Sequence, residues 1–246
     1  RLHSFRHKGY WYHGANRERT TMVFFQRLIS EGDIVLEVGG HIGYISQYFA
    51  QLVGTSGRVV VFEPGPNNLP YLTENTQPYP QISIIQKATS NVEGQLPFYI
   101  EHLTGQNNTL IANYEDFAGN AAHANINAEY ETVMVDVVTL DNFLPDVLGD
   151  ATPTFIKIDV EGAEVLVLQG TTQTLQQHKP IVMVESNDNG NALFDYFSQL
   201  GYVVRSSENA TITSGSQMKR GNYFCFHPAV HQATLTALEY SPTQAP

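Results

Sequence analysis

The amino-acid sequence predicts a Rossmann-like α/β fold, in which a mostly parallel sheet has helices on both faces and ends in a C-terminal antiparallel hairpin. Short apolar, β-branched runs alternate with helical segments through most of the chain, a pattern typical of parallel strands joined by crossover helices. Near the C-terminus, strand-like runs at 202–205 and 223–226 are separated by a polar loop, which predicts the hairpin. The length of 246 residues suits one compact domain.

The first βαβ unit is the clearest part of this pattern. Strands are predicted at Ile34–Val38 and Arg58–Phe62, and residues 44–52 between them carry apolar side chains at helical spacing. Further strands of the same sheet are predicted at 82–86, 155–158 and 181–184. A helix at 192–200 is expected to end at the following glycine.

The region 96–138 interrupts the alternation. Its ends, 96–100 and 132–138, are strand-like and flank a stretch rich in Asn, Ala and Gly. We therefore predict an inserted β-pair with a mobile loop, since long loops of this kind serve as lids or are disordered. The predicted organisation is an N-terminal arm and helix at 1–31, followed by one domain at 32–246 that carries the insertion.

Composition restricts the class of partner and the compartment. The formal net charge of −11 disfavours a nucleic-acid partner, because binding to phosphate backbones depends on clustered Lys and Arg. No apolar run reaches the roughly 18 residues that cross a bilayer, so no membrane span is expected. Cys225 is the single cysteine, which excludes an internal disulfide and favours a reducing compartment. A cytoplasmic location is therefore expected.

A glycine-rich turn marks the first candidate site. Residues 37–43 read Glu-Val-Gly-Gly-His-Ile-Gly and join the first strand to the first helix. Gly39 can adopt backbone angles closed to other residues, and Gly43 allows the helix to pack closely. Glu63 follows the second strand, where a carboxylate can accept hydrogen bonds from both hydroxyls of a ribose. These features predict a nucleoside site; the alternative is a plain turn with an exposed strand-end charge.

The charge of Glu37 bears on which nucleoside binds. A carboxylate beside the glycine turn would repel a pyrophosphate but suits a ligand with an ammonium and a sulfonium. The spacing from Gly39 to Gly43 also departs from the G-x-G-x-x-G dinucleotide fingerprint. These residues favour S-adenosylmethionine over NAD, and an NAD-dependent oxidoreductase stays open as an alternative.

Five sequence blocks resemble the FkbM family of methyltransferases. They are Glu37-Val-Gly-Gly-His-Ile-Gly-Tyr44, Val61-Phe-Glu-Pro64, Ala88-Thr-Ser-Asn-Val-Glu-Gly94, Thr139-Leu-Asp141 and Phe155-Ile-Lys-Ile-Asp-Val-Glu-Gly-Ala-Glu164. The resemblance implies a Rossmann-like class I methyltransferase fold with S-adenosylmethionine as the cofactor. It also implies that the methyl acceptor is a hydroxyl on a sugar, a glycolipid or a polyketide-like natural product.

The resemblance also implies which residues contact the cofactor. Glu37, Gly39 and Gly43 would border its methionine part, Glu63 would hold the ribose, and residues 88–89 would lie near the adenine. The full implied set is Glu37, Gly39, Gly40, His41, Gly43, Glu63, Pro64, Ala88, Thr89 and Asp159. The sequence departs from the family pattern at Glu37, which replaces Asp, at Gly40-His41, which replaces Ala-Asn, and at Asn91, which replaces Asp.

Acidic residues at strand ends are the candidate catalytic groups. Asp159 follows the fourth strand and Glu185 ends the fifth, so both carboxylates would face the crevice beside the glycine turn. Methyl transfer is an in-line displacement that gains most from holding the acceptor against the methyl group. We favour Asp159 for positioning the acceptor or the cofactor amine, with Glu161 and Glu185 nearby. For Glu161, the alternative is that its charge complements the start of a helix.

Two further candidates come from the same region and from the insertion. His102 and His123 lie in the insertion, where a mobile lid would bring an imidazole to the acceptor as general base. The alternative is that both are surface histidines. Asp159, Glu185 and Asn187 are oxygen donors compatible with magnesium, but three such donors are a weak signal and no metal is predicted.

The sequence as a whole predicts an S-adenosylmethionine-dependent O-methyltransferase that acts on a small hydroxylated metabolite. A module that keeps the nucleoside site without catalysis is the second alternative. The acceptor and the oligomeric state are left open, because fold and cofactor site are shared while specificity lies in loops.

Overall fold

The structure is a computed structural model that describes residues 1–4, 6–7, 10, 18–112, 130–187 and 189–240. Its strands are β1 Ile34–Val38, β2 Arg58–Phe62, β3 Ile82–Ile85, β4 Ala88–Thr89, β5 Gly94–Glu101, β6 Tyr130–Val138, β7 Phe155–Ile158, β8 Ile181–Ser186, β9 Val203–Ser206, β10 Thr211–Ile212 and β11 Gly221–Phe226. Its helices are α1 Arg19–Leu28, α2 Tyr44–Val53, α3 Leu69–Thr76, α4 Leu140–Leu148, α5 Glu164–Gln169, α6 Thr172–His178, α7 Gly190–Gln199 and α8 Pro228–Tyr240.

Eight of these strands form the central sheet, in the order β3-β2-β1-β7-β8-β11-β9-β10. The five strands from β3 to β8 in this order are parallel to their neighbours. β11 runs antiparallel to both β8 and β9. The predicted fold class is confirmed, including the antiparallel pair near the C-terminus. The sequence did not indicate β10, and the strand predicted at 82–86 ends at Ile85.

An apolar layer covers each face of the sheet, and these layers explain the continuous hydrophobic runs of the strands. Buried residues of α4 to α7 pack on one face, and those of α1, α2, α3 and α8 pack on the other. Phe24 of α1 stacks on Phe224 of β11 with 4.4 Å between ring centroids. Burying such a side chain contributes roughly 1.5–3 kcal/mol. The helix within residues 1–31 is thus part of the sheet's own core.

The inserted β-pair is also present. β5 and β6 form an antiparallel ladder from Gly94↔Val137 to Glu101↔Tyr130, and β4 joins β6 in parallel to make a three-stranded sheet. Residues 113–129, which contain most of the predicted mobile loop and His123, lie outside the described residues. The pairing of β4 was not predicted, because a two-residue strand leaves no periodic signal.

The topology brings several carboxyl ends of parallel strands to one edge. β1 leads into the glycine turn, β2 into Glu63, and β7 into Asp159. Glu185 is the second-last residue of β8. Ligands of open α/β sheets bind at such an edge. Among the helices of the described chain, none is long and apolar enough to cross a membrane.

Candidate active site

A cavity of about 580 Å³ lies at this edge of the sheet. The residues predicted for the site that line it are Glu37, Gly39, Gly40, His41, Glu63, Pro64, Ala88, Thr89, Asp159, Glu161 and Glu185. Other acidic and basic lining residues are Glu18, Glu101, Arg6, Lys87, Lys157 and Arg220. The strand-end positions expected from the sequence therefore meet around one space, and most of its charged groups are carboxylates.

The glycine turn brings β1 and β7 into close contact. Gly39 has a φ of 90°, and a Cβ placed there would lie 1.9 Å from the backbone oxygen of Asp159. The backbone N–H groups of Gly39 and Gly40 both donate to the carbonyl of Phe62, at 3.0 and 3.1 Å. A side chain at position 39 would therefore clash with backbone rather than with a mobile group, so the turn requires glycine.

Glu63 is held in place by donors on three sides. Its Oε2 accepts the backbone N–H of His41 at 2.7 Å, and its Oε1 accepts the backbone N–H of Gly65 at 2.8 Å and the Asn68 amide at 3.3 Å. The side chain is 4% exposed. Burial raises the pKa of Glu63 to about 7 against the opposing effect of these donors. Oε2 accepts one hydrogen bond among the described residues and therefore keeps acceptor capacity.

Glu37 is the second buried carboxylate on this side. Its Oε2 accepts a 2.5 Å hydrogen bond from the Ser46 hydroxyl, and its Oε1 lies 3.9 Å from Lys157 Nζ. Burial raises the pKa of Glu37 to about 7, although Lys157 and Ser46 both favour the charged form. Ser46 lies on α2, so the first helix fixes the orientation of this acid.

Lys157 is a buried cation at the centre of the site, and the sequence reasoning missed it as a site residue. Its Nζ lies 3.0 Å from Asp159 Oδ2 and donates to the carbonyl of Gly39 at 3.2 Å. Burial would lower the pKa of Lys157, but Asp159 and Glu37 outweigh that effect and raise it, so the side chain stays charged. A signal was present: a lysine inside the short apolar strand Phe155–Ile158 must find carboxylate partners if it is buried.

Asp159 and Glu185 form a hydrogen-bonded carboxyl pair in the wall of the cavity. Burial alone would raise the pKa of Asp159, but Lys157 and a hydrogen bond from Glu185 lower it. Burial raises the pKa of Glu185 far above its usual range, and the negative charge of Asp159 adds to that shift. The pair therefore holds one proton, and that proton is on Glu185.

Glu161 completes this acidic group. Oxygen atoms of Asp159, Glu161 and Glu185 lie within 4.8 Å of one another. Glu161 has a φ of 53°, a left-handed conformation that costs a non-glycine residue energy, and its backbone carbonyl accepts the Thr109 hydroxyl at 2.7 Å. The absence of a metal stays a prediction, since nothing in this arrangement tests it.

Glu164, the next acidic residue, lies outside the cavity. Its buried carboxylate accepts the backbone N–H of Gly162 at 2.9 Å and the Asn189 amide at 2.7 Å. It thereby joins the turn after β7 to the loop after β8. Glu164 braces the segments that carry Asp159 and Glu185.

Residues 101–110 belong to the insertion for which the sequence predicted a mobile loop, and they form a roof over the cavity. The Asn68 amide donates to the carbonyl of Gly105 at 2.9 Å, and His41 Nε2 lies 3.3 Å from the carbonyl of Thr104. On the opposite side, Thr109 bonds Glu161 as described above. The fully buried Glu101 accepts the backbone N–H groups of Leu103 and Thr104 at 2.7 and 2.9 Å, so the roof is internally braced.

Thr89 contributes a polar atom without a partner. Its hydroxyl oxygen is buried and has no hydrogen-bond partner among the described residues, although the residue lines the cavity. An unsatisfied buried hydroxyl costs about 1–3 kcal/mol. A ligand that offered it a hydrogen bond would recover that energy.

Two predicted site residues lie elsewhere. Gly43 is absent from the cavity wall, and a Cβ there would meet Leu72 Cδ1 at 2.9 Å and Thr76 Cγ2 at 3.0 Å. It serves the close packing of α2 on α3. The ring of His102 is 51% exposed and lies 2.7 Å from Glu131 on β6, away from the lining residues. In this geometry the alternative of a surface histidine describes His102 better than a base.

Comparison with known proteins agrees with this geometry. A sequence model of the family described as "Methyltransferase FkbM domain" matches residues 37–204. The hexuronic acid methyltransferase AglP of Haloferax volcanii is 28% identical over 147 residues, which cover 59% of this chain and 53% of that protein. The methyltransferase FkbM from Methylobacillus flagellatus KT has a TM-score of 0.51 and 14% identity, over 83% of this chain and 50% of that chain.

These relatives differ in what they establish. At 14% identity, the solved structure shows a shared fold alone. The chain spans about half the length of each of these two proteins. The family match covers more than half of the chain and includes the end of β1 and all of β2, β7 and β8, whose ends form the cavity. The chain belongs to the FkbM methyltransferase family.

Proposed function

We propose that this protein is an S-adenosylmethionine-dependent methyltransferase that methylates a hydroxyl group of a small, sugar-like metabolite. The observation that supports this most directly is the arrangement of the cavity. Buried Glu37 and Glu63 border the glycine turn. The Asp159–Glu185 pair lies beside them, since Lys157 Nζ contacts both Asp159 and Glu37. The buried acids suit a cationic nucleoside, and the neighbouring pair suits a hydroxyl.

The residues at the glycine turn fit this cofactor. Glu63 has acceptor capacity for the ribose hydroxyls, and Thr89 has a buried hydroxyl that lacks a partner within the described part of the chain. Gly39 lets the turn come close to a ligand without a side chain in the way. Excess negative charge around the cavity favours a ligand that carries an ammonium and a sulfonium. When bound, S-adenosylmethionine would supply an electrophilic methyl group, and its sulfur would leave with the bonding electron pair.

Asp159 is the group that positions the acceptor. Its carboxylate is ionised and partly exposed to the cavity, with 33% of the side chain accessible. It can accept the hydrogen bond of an acceptor hydroxyl and take the proton as the oxygen attacks. Glu185 is protonated and donates its hydrogen bond to Asp159, so its other oxygen is left as a hydrogen-bond acceptor at the same place. The roof of residues 101–110 helps to exclude water.

The sugar class rests on the Haloferax volcanii relative, whose name gives a hexuronic acid as its substrate. A sugar presents several hydroxyls that can donate to the free acceptor oxygens of the carboxyl pair. We further propose that the partner is a small molecule rather than a nucleic acid, because the net charge is −11.

Calorimetric titration with S-adenosylmethionine and with S-adenosylhomocysteine tests the cofactor. We expect both to bind, and we expect Glu63→Ala to weaken both, while Glu74→Ala on the exposed face of α3 leaves binding unchanged. Stabilisation by NAD instead would indicate an oxidoreductase. An absence of binding by the unmodified protein would overturn the proposal.

Transfer of a labelled methyl group to uronic acids and to neutral sugars tests the acceptor class. We expect labelled product with at least one of these sugars, and no product from Asp159→Asn above a small residual rate. Cofactor binding without transfer to any of them would favour the non-catalytic module and would contradict the proposed acceptor class.

A further inference from the structure

We propose that Lys157 is a positioning residue that decides which member of the Asp159–Glu185 pair keeps the proton. It binds Asp159 in the ionised form and leaves the proton on Glu185, so that Asp159 is the carboxylate that receives the acceptor's proton. The inference deepens the proposed function and rests on it for its chemical meaning. The proton assignment itself is a property of the ligand-free protein.

The first support is the placement of the ammonium. Lys157 is 3% exposed, and its Nζ contacts Asp159 Oδ2 at 3.0 Å, the carbonyl oxygen of Gly39 at 3.2 Å and Glu37 Oε1 at 3.9 Å. A buried cation needs compensating charge and hydrogen bonds. Asp159 is the closer of the two carboxylates, so it provides most of that compensation.

The second support is the asymmetry between the two acids. Asp159 lies 3.0 Å from the ammonium of Lys157, whereas the largest charge effects on Glu185 come from the acids Asp159, Glu161 and Glu164. The titratable groups that surround Lys157 and the pair are Glu37 on β1, His41 in the glycine turn, Glu63 after β2, Glu161 and Glu164 after β7, and Glu18 before α1. Two carboxyls that share one proton place it on the member without the cation.

The two carboxyl groups therefore have different chemical roles. Because Lys157 keeps Asp159 charged, the carboxylate can accept a proton from a hydroxyl when the new carbon–oxygen bond forms. Because Glu185 already holds a proton, it acts as a donor and does not compete for the same proton. The same ammonium also bonds Gly39, so it fixes the distance between this pair and the glycine turn.

Carbon-13 NMR of protein labelled at the carboxyl carbons of Asp and Glu measures this assignment without any ligand. Asp159→Asn and Glu185→Gln identify the two resonances. In the unmodified protein we expect Asp159 to titrate below its ordinary range and Glu185 well above. In Lys157→Met we expect the Asp159 midpoint to rise by about one to three pH units, the effect of an opposite charge at this distance. Lys157→Arg should keep the midpoint low.

Lys219→Met is the matched control, since Lys219 is exposed and lies outside the cavity, and it should leave both midpoints unchanged. An unchanged Asp159 midpoint in folded Lys157→Met would overturn the inference. If that variant does not fold, a Glu185 resonance of the unmodified protein that titrates at acidic pH would overturn it equally. Neither result depends on S-adenosylmethionine binding, so failure here is distinguishable from failure of the proposed function.

Discussion

Buried Glu63 and half-buried Glu185 are both carboxyls at strand ends of one sheet, yet their surroundings give them different chemistry. Glu63 is surrounded by N–H donors from His41, Gly65 and Asn68. Glu185 is surrounded by other acids and has Asp159 as its hydrogen-bond partner. Donors prepare a buried carboxyl to be an acceptor, whereas neighbouring carboxylates keep it protonated and make it a donor. Five experiments test this difference.

Asp159→Asn and Glu185→Gln test the carboxyl pair. We expect the largest difference in activity between these two variants. Loss of a general base lowers kcat by about 100- to 10,000-fold, and we expect this for Asp159→Asn. Glu185→Gln keeps a neutral donor, so we expect a loss within about tenfold, in line with a change in one neutral hydrogen bond. Single-turnover methyl transfer with a sugar that the unmodified protein accepts measures both. Equal losses would mean that the two acids have the same role.

Gly39→Ala tests the close contact between the glycine turn and the backbone of Asp159. Its Cβ would clash with the Asp159 backbone at a φ of 90°. Backbone strain and overpacking together should cost about 3 kcal/mol or more in the free energy of unfolding and should remove most cofactor binding. Gly94→Ala is the control: its φ of 118° is also positive, but nothing lies within 4 Å of the added atom. Denaturant unfolding and calorimetry should show a much smaller effect there.

Glu63→Gln tests the proposed contact with the cofactor ribose and preserves the size of the side chain. We expect affinity for S-adenosylhomocysteine to fall by about 10- to 100-fold, since a hydrogen bond to a charged group contributes about 1.5–3 kcal/mol. Glu74→Gln removes an exposed carboxylate that pairs with Arg1 and should have little effect on binding or unfolding. Calorimetry at one pH measures the affinity change. Undiminished affinity in Glu63→Gln would remove Glu63 from the ribose site.

The pH dependence of binding sharpens the contrast further. Burial raises the pKa of Glu63 and of Glu37 to about 7 from an ordinary value of 4.5. Such a shift stabilises the ligand-free fold fully below the ordinary value, and this contribution is lost as pH rises through about 7. We therefore expect thermal stability to decline with rising pH while affinity for S-adenosylmethionine increases several-fold. Glu63→Gln should flatten both trends, and identical slopes in the variant would contradict the assignment.

Thr89→Val should have the smallest effect and opposite signs in two measurements. Removing a buried hydroxyl that has no partner should leave stability unchanged or raise it by up to about 1 kcal/mol. If a ligand satisfies that hydroxyl, affinity should fall by about fivefold, the value of one neutral hydrogen bond. Thermal unfolding and calorimetry of the same preparation measure both. A loss of stability without any loss of affinity would assign Thr89 to packing.

The sequence predicted the parallel strands and the residues at their ends because both depend on local signals. Apolar runs locate β1, β2, β7 and β8, and their topology then places Glu63 and Asp159 at one edge. The roof could not be predicted, because its hydrogen bonds join positions far apart in the chain, as Thr109 does with Glu161. Gly43 was predicted both to allow close packing and to lie beside the ligand, because a glycine pattern does not distinguish the two. The structure shows the close packing.

The position of β11 between β8 and β9 has a consequence for synthesis of the chain. β9 pairs with β11 and β10 but has no ladder to β8, so β8 keeps a bare edge until Gly221–Phe226 has left the ribosome. Unpaired strand edges invite pairing with other chains. Nascent chains that stop before residue 221 should therefore aggregate, whereas the arrival of this single segment joins the last three strands to the sheet at once.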